Sequence, residues 1–198
     1  MRKRGSMTVF GATLGLLAAF GLASTAGFAQ TPAAAQAQKP FELSSPKFPS
    51  GGTLPRTQLN RRCGGRDISP TLKWRNPPMG TQSYVLLLHD PDAPNAQGFW
   101  HWVVYDIPGT VTSLPAGAGG AHGKLLPAGA IQARSDFGTV GYGGPCPPPG
   151  RAHRYYFRLY ALPVARINVP PHATATIIAA YVDATALGRA QLMVTYGR

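Results

Sequence analysis

Three stretches of this chain gather apolar and aromatic side chains into runs of strand length: Ser83 to His89, Trp100 to Ile107 and Tyr155 to Leu162. All three are rich in branched and aromatic residues, which suit a pleated, half-buried surface. The 24 Gly and 20 Pro are spread along the chain as punctuation rather than collected in one linker, so the pattern is that of a mainly β protein. Between the first two runs lies the segment from Asp90 to Phe99, whose Pro91, Pro94 and Gly98 predict a structured loop. One segment breaks the β pattern. After Pro170-Pro171 the stretch from Ala173 to Leu187 is alanine-rich, and Ile177, Ile178, Tyr181, Val182 and Leu187 recur at helical spacing. This predicts an amphipathic helix ended by Gly188, with a last strand from Ala190 to Tyr196. The Gly/Ala-rich stretch from Pro115 to Gly129 reads as an excursion over the surface, and no internal repeat is present.

The first residues change the picture by setting a compartment. Arg2, Lys3 and Arg4 precede an uncharged run from Met7 to Ala29, the arrangement of a secretory signal peptide, with Gly27-Phe28-Ala29 offering small residues for cleavage before Gln30. An uncleaved membrane anchor is the alternative, but the run is diluted by Gly, Ser and Thr, and no stable membrane insertion is expected. Residues 1–29 are therefore set aside as signal, 30–40 as a disordered leader, and 41–198 as one domain of 158 residues, periplasmic or secreted.

Charge narrows the partners. Nineteen Lys and Arg against seven Asp and Glu leave a net charge of +12, which favours anionic ligands. The arginines form no helix-face stripe beyond the short Arg61-Arg62-Cys63-Gly64-Gly65-Arg66 run, so nucleic acid is not the expected partner. Cys63 and Cys146 are an even number of cysteines in an exported chain, and the expectation is a disulfide between them, two separate buried thiols being the alternative. Such a bridge, closing a long loop, stabilises by about 4 kcal/mol on the chain-entropy account.

Candidate chemistry sits at two places. Asp90 and Asp92 lie two residues apart in an acid-poor chain. If the runs at 83–89 and 100–107 pair as a hairpin whose opposed residue numbers sum to about 191, Asp90 stands beside His101. That contact either holds the imidazole in one tautomer for a ligand or is a salt bridge fixing the hairpin. The second place is the rigid loop from Gly141 to Gly150, which runs into His153-Arg154-Tyr155-Tyr156. Strand alternation puts His153 and Tyr155 on one face and Arg154 and Tyr156 on the other, so an imidazole and a phenol project together, either into a site or as a stacking pair in the core.

Taken together, Asp90-Pro91-Asp92-Ala93-Pro94, Trp100-His101-Trp102, Gly144-Pro145-Cys146-Pro147 and His153-Arg154-Tyr155 resemble the two signature motifs of the phosphatidylethanolamine-binding protein family. The run from Cys63 to Trp74 and the Asp136-Phe137-Gly138 stretch look like its bacterial, Raf-kinase-inhibitor-like branch, and the resemblance extends in order from Phe41 to the end. It implies a Greek-key β-sandwich with a few peripheral helices, one near the C-terminus. It also implies a pocket for phosphate-type anions or phospholipid headgroups, formed by Asp90, His101 and His153 and lined by Tyr155 and Pro145. In the family's animal members a C-terminal helix adds a tyrosine to the pocket; here the helix precedes a final strand, and no equivalent is placed.

Other chemistries fit less well. No Gly-x-Ser-x-Gly elbow is present, and a bridged Cys146 is no thiolate, so an enzyme is not expected. His89, Asp90, His101 and His153 could be metal ligands, but His89 and Asp90 lie on opposite faces of a strand, and neither metal nor cofactor is expected. The remaining alternative is an inhibitor module that acts on an unidentified protein target, a kinase or protease, through its surface loops.

Overall fold

The structure, a computed structural model, describes residues 39–198. The expected signal peptide and most of the leader lie outside the described residues. At the leader's end the Pro40 carbonyl accepts a hydrogen bond from Asn76 Nδ2 at 3.1 Å.

Among the described residues eight strands form two antiparallel sheets. β1 (Glu42–Ser44), β2 (Leu72–Arg75) and β5 (Ser113–Leu114) make a small sheet in the order β1-β2-β5. The large sheet runs β6-β4-β3-β7-β8 and comprises β3 (Ser83–Asp90), β4 (Phe99–Pro108), β6 (Ile131–Gln132), β7 (His153–Leu162) and β8 (Gly188–Tyr196). The three runs singled out by their apolar residues become its three central strands. All eight residues of β3 are buried, because both faces of this sheet are covered. On one face Tyr84, Leu86 and Leu88 join Trp102, Val104 and Phe157 under Leu43, Leu72, Trp74 and Leu114 of the small sheet. On the other, Val85, Leu87 and Val103 pack under α1 (Ala175–Thr185), the one α-helix among the described residues, through Ile178, Ala179 and Val182.

The helix starts where Thr174 accepts a hydrogen bond from the Ile177 amide, satisfying one otherwise unpaired helix-end donor. It stops at Ala186, before the expected glycine. Gly188 is instead the first residue of β8, opposite Ala161, since the chain leaves the helix directly into sheet pairing. The other helical pieces among the described residues are two 3-10 turns, Arg56–Gln58 and Arg61–Cys63. The disulfide forms as expected: Cys63, on the second of these turns, is bonded to Cys146, with Cα atoms 5.6 Å apart. It fastens the 61–67 segment to the glycine-proline loop across a separation of 83 residues.

Candidate functional site

Where β3 and β4 meet the Asp90–Phe99 loop, the ladder slips. Leu88 pairs with Trp102 and His89 with Trp100, so His101 has no partner on β3 and forms a β-bulge. A bulge adds twist and re-aims a side chain. Strict alternation would place Trp100 and Trp102 on one face; they lie in different core clusters, and His101 turns toward the open end of the sandwich. The slip also moves Asp90 opposite Phe99.

The expected Asp90–His101 contact is therefore not made. Asp90, 3% exposed, is bonded to the other histidine: His153 Nδ1 lies 2.8 Å from Asp90 Oδ2. This pairing spans 63 residues, between the end of β3 and the start of β7. The remaining oxygen, Asp90 Oδ1, accepts from the Asp92 amide and closes the turn into the loop. His101 Nδ1 meets the Gly143 carbonyl at 2.8 Å.

The second acid has a different task. Asp92 accepts from two of the three guanidinium nitrogens of Arg154, Nε at 2.8 Å and Nη2 at 2.7 Å, as well as from the Arg154 amide at 2.8 Å. These bonds hold its carboxyl well below the usual carboxylate range. Asp92 staples the loop to β7, and Asp90 is the member of the pair that faces the cavity. Asp136 and Asp67 are staples too, accepting the Trp100 and Gly144 amides respectively.

The loop's return depends on glycine. Gly98 has φ +70°, and a Cβ there would stand 2.4 Å from the Asp90 carbonyl and 2.6 Å from His89 Nε2.

These elements enclose a cavity of about 170 Å³, with Asp90, His101, His153 and Tyr155 as its polar lining and Ala93, Pro94, Phe99, Phe137, Pro147 and Pro148 as its apolar wall; Cys146 touches it as well. Pro145 does not line it: the residue is buried behind the wall, where its carbonyl accepts from the Asn60 amide, and the wall positions fall to Pro147 and Pro148. No residue of α1 lines it either, because the helix packs on the opposite face of the sheet. A proline wall from the Gly141–Gly150 loop was expected, at Pro145 rather than at Pro147 and Pro148; the contributions of Ala93, Pro94, Phe99 and Phe137 were not.

Protonation follows from the partners. A carbonyl oxygen only accepts, so His101 carries its proton on Nδ1 and leaves the Nε2 lone pair to the cavity. Burial lowers the pKa of His101 to about 4, outweighing the Gly143 carbonyl and the Asp90 charge, so the ring is neutral at neutral pH. His153 likewise turns Nδ1 to Asp90. The Tyr155 hydroxyl is buried and closes no hydrogen bond of good geometry. Burial, and then the Asp90 charge, push its pKa far above the usual phenol value and keep it a donor. The cavity thus offers acceptors on Asp90 and His101, with the fully buried Tyr155 hydroxyl close to Asp90.

Among the described residues, no group of three or more His, Cys, Asp or Glu side chains is arranged to hold a metal ion, and no helix is long and apolar enough to cross a membrane.

Comparison with known proteins decides the lineage. The family profile described as phosphatidylethanolamine-binding protein matches residues 44–197. The chain belongs to the phosphatidylethanolamine-binding protein family. Within it, YbcL of Escherichia coli strain K12 is 38% identical over 159 residues, 79% of this chain and 87% of that one. The crystal structure of E. coli YbcL, described as a new member of the mammalian PEBP family, superposes with a TM-score of 0.77 at 37% identity, covering 80% of this chain and 98% of that one. A PEBP homologue from Chlamydia trachomatis gives a TM-score of 0.68 at 31% identity, with 80% and 97% coverage. LppC of Mycobacterium tuberculosis strain H37Rv, provisionally named a lipoprotein, is 36% identical over 163 residues, 82% of this chain and 75% of that one. The family's fold is the two-sheet architecture with a C-terminal helix described above.

Proposed function

We propose that this family member is an exported binding protein whose pocket takes a small phosphate-type group, free or as a phospholipid headgroup, and does not turn it over. The observation that carries this is the convergence of Asp90, His101, His153 and Tyr155, from three different strands, on one small cavity with an apolar wall.

The acceptors select the ligand's protonation state. A dianion would meet a carboxylate and a lone pair on His101, whereas a monoprotonated phosphate donates its P–OH to either acceptor. An ethanolamine ammonium satisfies the same acceptors. The volume, about 170 Å³, is that of roughly five or six waters and well below the roughly 300 Å³ where drug-sized sites begin, so a headgroup fits and an acyl chain stays outside. The binding role, as against catalysis, is supported by the lining: its one sulfur, Cys146, is held in the disulfide, and no serine or threonine is present. Export is supported by the basic, apolar start of the sequence, by that disulfide and by a relative named as a lipoprotein.

Calorimetry with phosphate and O-phosphorylethanolamine tests the proposal. Affinity for phosphate is expected to fall as pH rises through the phosphate's second ionisation, near 6 to 7. Absence of binding for both probes, or steady release of product from a phosphomonoester, would overturn it.

A further inference from the structure

Beside the pocket lies a second, larger cleft, about 480 Å³, whose lining includes Arg61, Arg62, Phe137, Thr139 and Gly143. The two depressions share Phe137. The wall between them is thin: Gly143 accepts from His101 Nδ1 and donates its own amide to the His101 carbonyl at 3.0 Å. Phe137 closes that wall from outside, its ring 4.8 Å from Phe99 and 5.4 Å from His101, centroid to centroid. It lies directly over Gly143, where a Cβ would stand 2.2 Å from a ring carbon, so position 143 must lack a side chain for the ring to rest there. The ring is itself 40% exposed, and Gly138 follows at φ +75° with open space around it.

The cleft is cationic. Its one carboxylate, Asp67, is occupied: Oδ1 accepts from the Gly144 amide and Oδ2 from the Arg61 amide, with Arg61 Nε 3.6 Å away. The Arg62 guanidinium has no hydrogen bond or ion pair among the described residues; only its amide is engaged, by Asn60. The disulfide at Cys63 holds this arginine turn against the pocket loop. A planar, unpaired guanidinium beside a fixed cavity is suited to a phosphate or carboxylate.

The geometry points to a ligand with two anionic groups, a small bisphosphate with one phosphate in the pocket of Asp90, His153 and Tyr155 and the other on Arg62 in the adjoining cleft, bridged past Phe137. This rests on the pocket binding phosphate, as proposed above. Two linked contacts act as one bivalent association, and the gain over a monophosphate is at least about tenfold when the linker spans the sites.

The experiment is calorimetry with the monophosphates and bisphosphates of propanediol, butanediol and pentanediol, on the wild type, Arg62→Ala and Arg166→Ala. Arg166 lies at the other end of β3, beside Gln82, and controls for the general effect of one positive charge. At least one bisphosphate is expected to bind about tenfold or more tightly than its monophosphate. Arg62→Ala should erase that advantage and leave monophosphate binding unchanged; Arg166→Ala should change neither. Equal affinity for mono- and bisphosphates of every length, or an equal loss in both arginine variants, overturns the inference while leaving the pocket standing. Failure of every probe to bind overturns the pocket itself, and this inference with it. Flotation with phosphatidylcholine vesicles, with and without diphosphatidylglycerol, then assigns the source: recruitment by the doped vesicles supports a lipid headgroup, and tight binding of the soluble probes alone supports a free bisphosphate.

Discussion

His89 and His101 stand at the same end of the large sheet, and both are buried, at 9% and 5% exposure, but they lie on opposite faces of it. Each ring is fixed by one backbone carbonyl, Gln97 for His89 and Gly143 for His101, both at 2.8 Å. Burial is the leading reason that the pKa of each is lowered. They differ in what the second nitrogen meets. His89 is stacked on Trp100 at 4.1 Å, with Nδ1 buried and unpartnered on the face covered by α1. His101 opens on a cavity that also holds Asp90, His153 and Tyr155. A buried, neutral, tautomer-fixed histidine is therefore not in itself a site. The carboxylate opposite and the space to admit a ligand make the difference, and the bulge at His101 creates it.

The largest effect expected from this comparison is on stability in acid. His101 folds with its pKa lowered from 6.5 to about 4, so the unfolded chain takes up the proton first as pH falls. The stability it contributes is complete above pH 6.5 and is lost as pH falls from there through about 4, on the order of 3 kcal/mol. Urea denaturation from pH 7 to pH 4 measures it. His101→Gln should flatten the curve over that window, and an unaltered slope would show that His101 is not the group being protonated.

The next effect separates the two faces by function. His153→Ala removes the partner of Asp90 from the pocket and is expected to weaken phosphate binding by roughly 1.5–3 kcal/mol. His89→Gln, on the helix-covered face, should leave affinity within experimental error while lowering the urea midpoint. Titration calorimetry on both variants reads the contrast, and equal losses of affinity would dissolve it.

The smallest concerns Tyr155. Tyr155→Phe deletes a buried hydroxyl that has no well-formed protein partner, so the unliganded protein should be as stable as the wild type or slightly more so, while phosphate affinity falls by about 1 kcal/mol. Thermal melts with and without phosphate show both signs at once. A destabilised apo form would place the hydroxyl in the structural framework instead.

What the sequence determined by itself is the local chemistry: branched and aromatic runs that pair as β3, β4 and β7, an alanine-rich amphipathic helix, two cysteines that meet, and the side chains His101, His153, Tyr155 and Asp90 at one end of the sheet. The strands and the helix follow from residue type and period, which a chain carries along its length, while the cysteine pair rests on export and the gathering of the site residues on the family resemblance. Tertiary structure decided the partners. The bulge that separates Asp90 from His101 is a one-residue slip with no glycine or proline at the slipped position to announce it. The pairing of Asp90 with His153, the diversion of Asp92 to Arg154, and the exchange of Pro145 for Pro147 and Pro148 on the wall all join segments 50 or more residues apart. Contacts of that separation are set by how β3 and β7 align and by the loops that close over them. Phe137 has a place only because Gly143 leaves room for its ring, a fit between two loop positions that no single-segment pattern encodes.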